Sequence, residues 1–110
     1  MQENNKEEKI NTEENKVSKI VFMDFFAKWC GPCKIQDPII EDLKKKFEEK
    51  VEFRKIDVDK DYEIADKYKV NAIPTIIIER DGKFWAKFVG LTKMHVLDKK
   101  IREIIGDKKR

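Results

Sequence analysis

Between Ile20 and Ala27 the chain carries an apolar run with a single acid, Asp24, and directly after it comes Trp29-Cys30-Gly31-Pro32-Cys33. Ile20 to Phe26 is strand length, and apolar side chains at both parities require that both faces of the strand be covered. A strand buried on both faces demands helices on each side of its sheet. The rest of the sequence supplies them. Ile35, Ile39, Ile40, Leu43 and Phe47 recur at helical spacing through a Lys/Glu-rich segment ending near Lys50, and Pro38 inside it is expected to kink the helix. Val51 to Val58 reads as a second strand, and Asp59 to Tyr68 as a short helix with Ile64, Ala65 and Tyr68 inward. Thr75 to Arg80 and Lys83 to Val89 read as strands joined by the hairpin dipeptide Asp81-Gly82. Met94, Leu97, Ile101, Ile104 and Ile105 form the stripe of an amphipathic last helix, with Thr92 as its N-cap and Gly106 as its C-terminal cap. The order strand, helix, strand, helix, hairpin, helix gives a parallel pair followed by antiparallel strands. The expected fold class is α/β, a mixed four-stranded sheet with helices on both faces.

Size and charge narrow the function classes. At 110 residues there is room for one domain and none for a separate nucleotide-binding half. No apolar run approaches the ~18 residues of a membrane span. Two cysteines are too few for a disulfide-stapled scaffold. The 25 basic and 22 acidic residues are interleaved and leave a net charge of +3, too little to argue for nucleic acid. Residues 1–16 hold five Glu, three Lys and four Asn and read as a polar tail ahead of a domain spanning 17–110. The tail lacks the apolar core of a signal peptide.

The remaining signal is the cysteine pair. A Cys-x-x-Cys that follows a buried strand and opens a helix places Cys30 at the helix N-terminus, where unpaired N–H groups and the positive dipole end stabilise a thiolate. Cys33 is one turn further on the same side, close enough to form a small disulfide ring. Pro32 suits the first turn, where its missing N–H costs nothing, and Gly31 lets another backbone approach the sulfur. The arrangement fits thiol–disulfide exchange: one thiol attacks a partner's disulfide and is then released by its neighbour. Competing readings are weaker. A zinc site needs two further ligands, and only His95 and carboxylates are on offer. A structural disulfide around so short a loop gains little. Asp24, an acid in an apolar strand, should have a raised pKa that brings it within reach of proton transfer near neutral pH. His95, beside the last helix's apolar stripe, reads as a surface residue.

The segment from Phe22 to Lys34, Phe-Met-Asp-Phe-Phe-Ala-Lys-Trp-Cys-Gly-Pro-Cys-Lys, resembles the active-site segment of the thioredoxin family. Pro38, Lys55, Ile73-Pro74-Thr75, Asp81-Gly82 and Val89-Gly90 extend the resemblance in order and spacing over about Val17 to Ile105. The resemblance implies that Cys30 is an exposed nucleophile and Cys33 a buried resolving thiol. It makes Asp24 the proton acceptor for Cys33, with Lys55 as its partner. It makes Ile73–Pro74 a cis peptide facing the disulfide, and Trp29, Gly31, Pro32, Ile73, Pro74, Val89 and Gly90 an apolar docking surface. Two departures stand out. Phe26 replaces a larger, polar-tipped aromatic. The polar tail is also unsuited to the family's usual first strand and helix, so four strands are expected where a fifth would be the alternative, with Glu8 to Ser18 supplying at most a short helix. The implied activity is cofactor-free reduction of protein disulfides by a cytoplasmic monomer recharged by a thioredoxin reductase, without nucleic acid or membrane partners. The alternatives are an exported domain in cytochrome maturation or periplasmic or luminal redox work, and a docking module in which redox chemistry is incidental.

Overall fold

A computed structural model of the chain describes residues 18–107, so the polar segment 1–16 lies outside the described residues. The elements are β1 (Ile20–Phe26), α1 (Gly31–Phe47), β2 (Val51–Asp57), α2 (Tyr62–Lys67), β3 (Thr75–Arg80), β4 (Lys83–Val89) and α3 (Met94–Gly106). The described strands form one four-stranded sheet in the order β2-β1-β3-β4. β1 runs parallel to β2 and antiparallel to β3, and β3 is antiparallel to β4.

The two parities of β1 feed two cores. Ile20 and Phe22 join Val51, Ile76 and Ile78 beneath Ile40, Leu43 and Phe47 of α1 and Leu97, Ile101 and Ile104 of α3. Val21, Met23 and Phe25 join Ile56 and Ile77 on the opposite face, where Ala65 of α2 and the partly buried Tyr68 pack. This double burial sets β1 at the interior of the sheet and leaves β2 and β4 at its described edges.

The connections follow from local chemistry. Asp81 (φ 55°) and Gly82 (φ 80°) both take the left-handed conformation that a two-residue hairpin turn needs. Asp81 is also clasped to the start of β1: its N–H donates to the Lys19 carbonyl at 2.8 Å, and its Oδ1 accepts from the Lys19 N–H at 2.9 Å. Near this turn, the register between β3 and β4 shifts at Ile78/Glu79. Arg80 stacks on the Trp85 ring at 4.6 Å and donates to the carbonyl of Asp107 at 2.8 Å, at the C-cap of α3.

Several expectations about the helices need correction. The buried register of α1 is Cys33, Gln36, Ile40, Leu43 and Phe47, whereas Ile35 is 58% exposed. The inward stripe steps by three and four residues, and a glutamine occupies the slot that the apolar count assigned one position earlier. Thr92 is not the N-cap of α3; Lys93 is, with no side-chain cap bond. Both backbone polar groups of Thr92 are held by the Gln36 amide, and its hydroxyl turns back to the Gly90 carbonyl at 3.0 Å. Gly106 lies inside the last turn of α3 and Asp107 is the C-cap. In the short α2, Ala65 is buried but Ile64 is exposed. Pro38 lies inside α1 as expected, where it removes the N–H that the Lys34 carbonyl would otherwise meet.

The register of α1 is directly testable. Leu43→Ala should lower stability in urea unfolding by about 3 kcal/mol, as expected for a fully buried leucine. Ile35→Ala should change it by less than about 0.5 kcal/mol.

Candidate functional site

β1 ends at Phe26, and a turn closed by the Cys30 N–H on the Ala27 carbonyl at 3.2 Å delivers the chain to α1. Cys30 is the N-cap of that helix, with φ −87° and ψ 112°. Its Sγ takes the place usually filled by a serine or aspartate oxygen, accepting the Cys33 N–H at 3.2 Å. Pro32 sits in the first turn, where no donor is lost. Cys30 and Cys33 are joined as a disulfide with Cα atoms 5.3 Å apart. Among the described residues no group of three or more His, Cys, Asp or Glu side chains could hold a metal ion.

The expected contrast between an exposed Cys30 and a buried Cys33 is absent in this oxidised form, where the two are 4% and 6% exposed. They pack with Ala27 against Phe26, Val58 and Ile73, which leaves little of either residue open to solvent.

Behind Cys33 lies a cavity of about 280 Å³ lined by Asp24, Phe26, Ala27, Lys28, Cys33, Lys34, Asp37 and Lys55. Asp24, 4% exposed, is in the apolar strand β1. Loss of water around its carboxyl raises the pKa from 3.8 to about 6; the Lys55 charge pulls it down and the Asp37 charge pushes it up. Lys55 is register partner to Asp24 across the parallel β1–β2 pair. Its ammonium, however, donates to Asp37 Oδ1 at 2.6 Å and lies 4.9 Å above the centre of the Phe26 ring. The Asp37 hydrogen bond raises the Lys55 pKa further above its ordinary value. Lys55 therefore acts on Asp24 through its charge, while its hydrogen bond goes to Asp37. Phe26, where a polar-tipped aromatic was looked for, offers Lys55 its ring face instead.

Around the disulfide, Trp29 is 71% exposed, and its indole N–H donates to Asp59 Oδ2 at 2.8 Å. Asp59 is placed by Asp57, whose Oδ1 accepts the Asp59 N–H at 3.0 Å. The Ile73–Pro74 peptide is cis, and the Thr75 hydroxyl fixes the preceding turn by donating to the Ala72 carbonyl at 2.6 Å. Pro74 is buried and its carbonyl is taken by the Gly90 N–H at 2.8 Å, so Ile73 offers the nearer open backbone. Gly90 has φ 90°, a conformation that suits glycine, and Val89 beside it is exposed. A side chain at Gly31 would meet only open space. His95 is exposed in the first turn of α3.

Gln36, Asp37 and Asp59 are the site residues that sequence reasoning missed. Asp37 could have been found as the residue four positions after Cys33 on one helix face. Gln36 stands four residues before Ile40 and so on the buried stripe of α1. Its Nε2 donates to the Thr92 carbonyl at 2.9 Å, and its Oε1 accepts the Thr92 N–H at 2.8 Å. Nothing local marks Asp59 as the partner of Trp29.

The buried carboxyl has a consequence for stability. Because its folded pKa lies above the unfolded one, the folded state binds more protons between about pH 4 and 6, and stability falls as pH rises through that window. Asp24→Asn should therefore stabilise the oxidised protein by roughly 2–3 kcal/mol above pH 7, and the gain should vanish below pH 4. A gain independent of pH in urea titrations would show that the charge is not its source.

The sequence model of the thioredoxin family matches residues 2–103. A thioredoxin of Chlorobaculum thiosulfatiphilum is 41% identical over 88 residues, covering 80% of this chain and 82% of that protein. A thioredoxin of Bacillus subtilis is 38% identical over 84 residues, covering 76% and 81%. The structure of a mutant thioredoxin from Halobacterium salinarum superposes with a TM-score of 0.77 at 32% identity, over 83% of this chain and 79% of that one. The Cys30–Cys33 pair is accordingly a redox-active disulfide, and the chain belongs to the thioredoxin family.

Proposed function

We propose that Cys30 is the attacking thiol of this thiol–disulfide oxidoreductase, that Cys33 is the resolving thiol, and that Asp24 takes the proton of Cys33. The observation that carries the assignment is the division of surroundings. Cys30 caps the helix, where N–H donors and the dipole favour a thiolate, while Cys33 lines the cavity that holds Asp24.

The cycle balances as two exchanges. The Cys30 thiolate attacks a substrate disulfide, forming a mixed disulfide and expelling one substrate thiolate, which takes a proton from water. Cys33 then passes its proton to the Asp24 carboxylate, through water where the distance requires it, and attacks Cys30 Sγ. The mixed disulfide breaks, and the second substrate sulfur leaves as a thiolate that takes up the proton held by Asp24. Two electrons have moved from the Cys30/Cys33 dithiol to the substrate, and the protein holds the intramolecular disulfide until a donor reduces it.

The substrates are protein disulfides presented on an extended chain. Exposed Trp29 and Val89, with the Ile73 backbone beside them, suit an apolar segment that adds along the cis-proline loop. Gly31 and Pro32 would lie under it, and Gly90 would keep the adjoining loop close. The Gly-Pro pair between the cysteines favours the reducing direction, with a thioredoxin reductase as donor and the cytoplasm, where disulfides are kept reduced, as the place of work.

Two variants separate the roles of the sulfurs. Cys30→Ser should cut reduction of a protein disulfide by about two orders of magnitude or more. Cys33→Ser should retain attack and accumulate a mixed disulfide at Cys30, seen as a mass increase reversed by added thiol. Unchanged turnover of Cys30→Ser would sink the assignment.

A further inference from the structure

The cavity behind Cys33 holds a group for which the exchange chemistry itself has no task. Asp37 projects from α1 one turn beyond Cys33, and its carboxylate is the hydrogen-bond acceptor of Lys55. We propose that Asp37 is a positioning residue for the redox cycle: it holds the Lys55 ammonium off the Asp24 carboxylate, so that this carboxylate stays available as the base for Cys33. The inference rests on the reading of Asp24 as the proton acceptor.

The geometry makes the alternative pairing easy to picture. Asp24 and Lys55 are opposite each other on adjacent parallel strands, which lie about 4.8 Å apart, with their side chains on one face. A lysine so placed can fold onto its neighbour's carboxylate. Here it extends away instead, fixed on one side by Asp37 Oδ1 at 2.6 Å and on the other by the face of Phe26 at 4.9 Å. A direct ion pair would stabilise the ionised form of Asp24 and weaken it as a base. With Asp37 as partner, Lys55 neutralises a second carboxylate, and Asp24 feels two charges of opposite sign, the ammonium the stronger. The upward push on the Asp24 carboxyl and the opposite signs of the Lys55 and Asp37 influences agree with this.

The other groups around the cavity leave the balance with this pair. Lys28 and Lys34 line it from the turn and from α1, and both are exposed. Glu41, one turn beyond Asp37, acts on Lys55. Asp57, two residues along β2, accepts the Asp59 N–H. On β3 the register partner of Asp24 is Ile76, which brings no charge.

The test follows the Asp24 carboxyl by carbon NMR titration in the oxidised protein. In parallel it follows the pH dependence of mixed-disulfide release in single turnovers. Asp37→Asn should move both midpoints down by about half a pH unit or more. In a Lys55→Met background the same substitution should move them by less than half as much, because no ammonium remains to be held. Equal displacement in the two backgrounds would mean that Asp37 acts by its own charge alone, and no displacement would mean that it does not act; either overturns the proposal. Asp24→Asn separates the underlying reading. If it leaves the release rate and its pH profile unchanged, the proton-acceptor role fails whatever the Asp37 titrations give. If it slows release while Asp37→Asn shifts nothing, only the positioning role fails.

Discussion

The carboxyl end of β1 is the point from which the rest of the redox site hangs. β1 is covered on both faces, so its backbone is fixed between β2 and β3, and the chain leaving it has to cross to α1 over the parallel pair. In such a crossover the helix begins above the strand ends, and its unpaired N–H groups collect there. Cys30 occupies the capping position at that junction, and its sulfur accepts the N–H of Cys33. The same burial that fixes the strand strips water from Asp24, two residues before the strand's end. A helix start that favours a thiolate and a buried acid that holds a proton near neutrality thus arise from one packing decision.

That decision has a cost. A carboxyl with pKa near 6 in a folded state, against 3.8 outside it, makes the protein less stable at the pH where it works. An asparagine or leucine would serve the core better. Retaining an ionisable group there is the stability–function conflict expected of the proton acceptor proposed for Cys33. Lys55 moderates it through its charge, while Asp37 pushes the other way. Both are about half exposed, so their ion pair adds little to stability by itself. Its value lies in where it puts the ammonium.

How much of this was legible in the sequence depended on the range over which the physics acts. β1, the Asp81-Gly82 hairpin and the stripe of α3 are written in local periodicity and turn chemistry, and the strands β3 and β4 lie where those patterns place them. The cysteine pair was readable because its chemistry is contained within one helical turn. Gln36, Asp59 and Asp37 were not readable, since their partners Thr92, Trp29 and Lys55 are 56, 30 and 18 residues away. Lys55 lies between these cases. Its alignment with Asp24 is a property of strand register, but which carboxylate its four-carbon stem reaches is a matter of rotamers and of what α1 presents. Thr92 failed as a cap for a related reason: a distant amide had already claimed its backbone.

The Gln36–Thr92 clamp also bears on how chemistry and recognition are joined. Gln36 is on the helix that carries both cysteines, and its amide binds the N–H and C=O of one residue in the loop after β4. That loop contains Gly90, whose N–H holds the Pro74 carbonyl, and Thr92, whose hydroxyl holds the Gly90 carbonyl. A continuous chain of hydrogen bonds therefore runs from the redox helix through the β4–α3 loop to the cis-proline loop. On the other side of the disulfide, the Asp59 carboxylate restrains the exposed Trp29 indole, and Asp57 restrains Asp59. Each surface element around the sulfurs is thus tied to a buried or part-buried polar group. On the proposed docking of an extended segment, little side-chain or loop freedom would be lost, which leaves binding energy for orienting its disulfide for in-line attack.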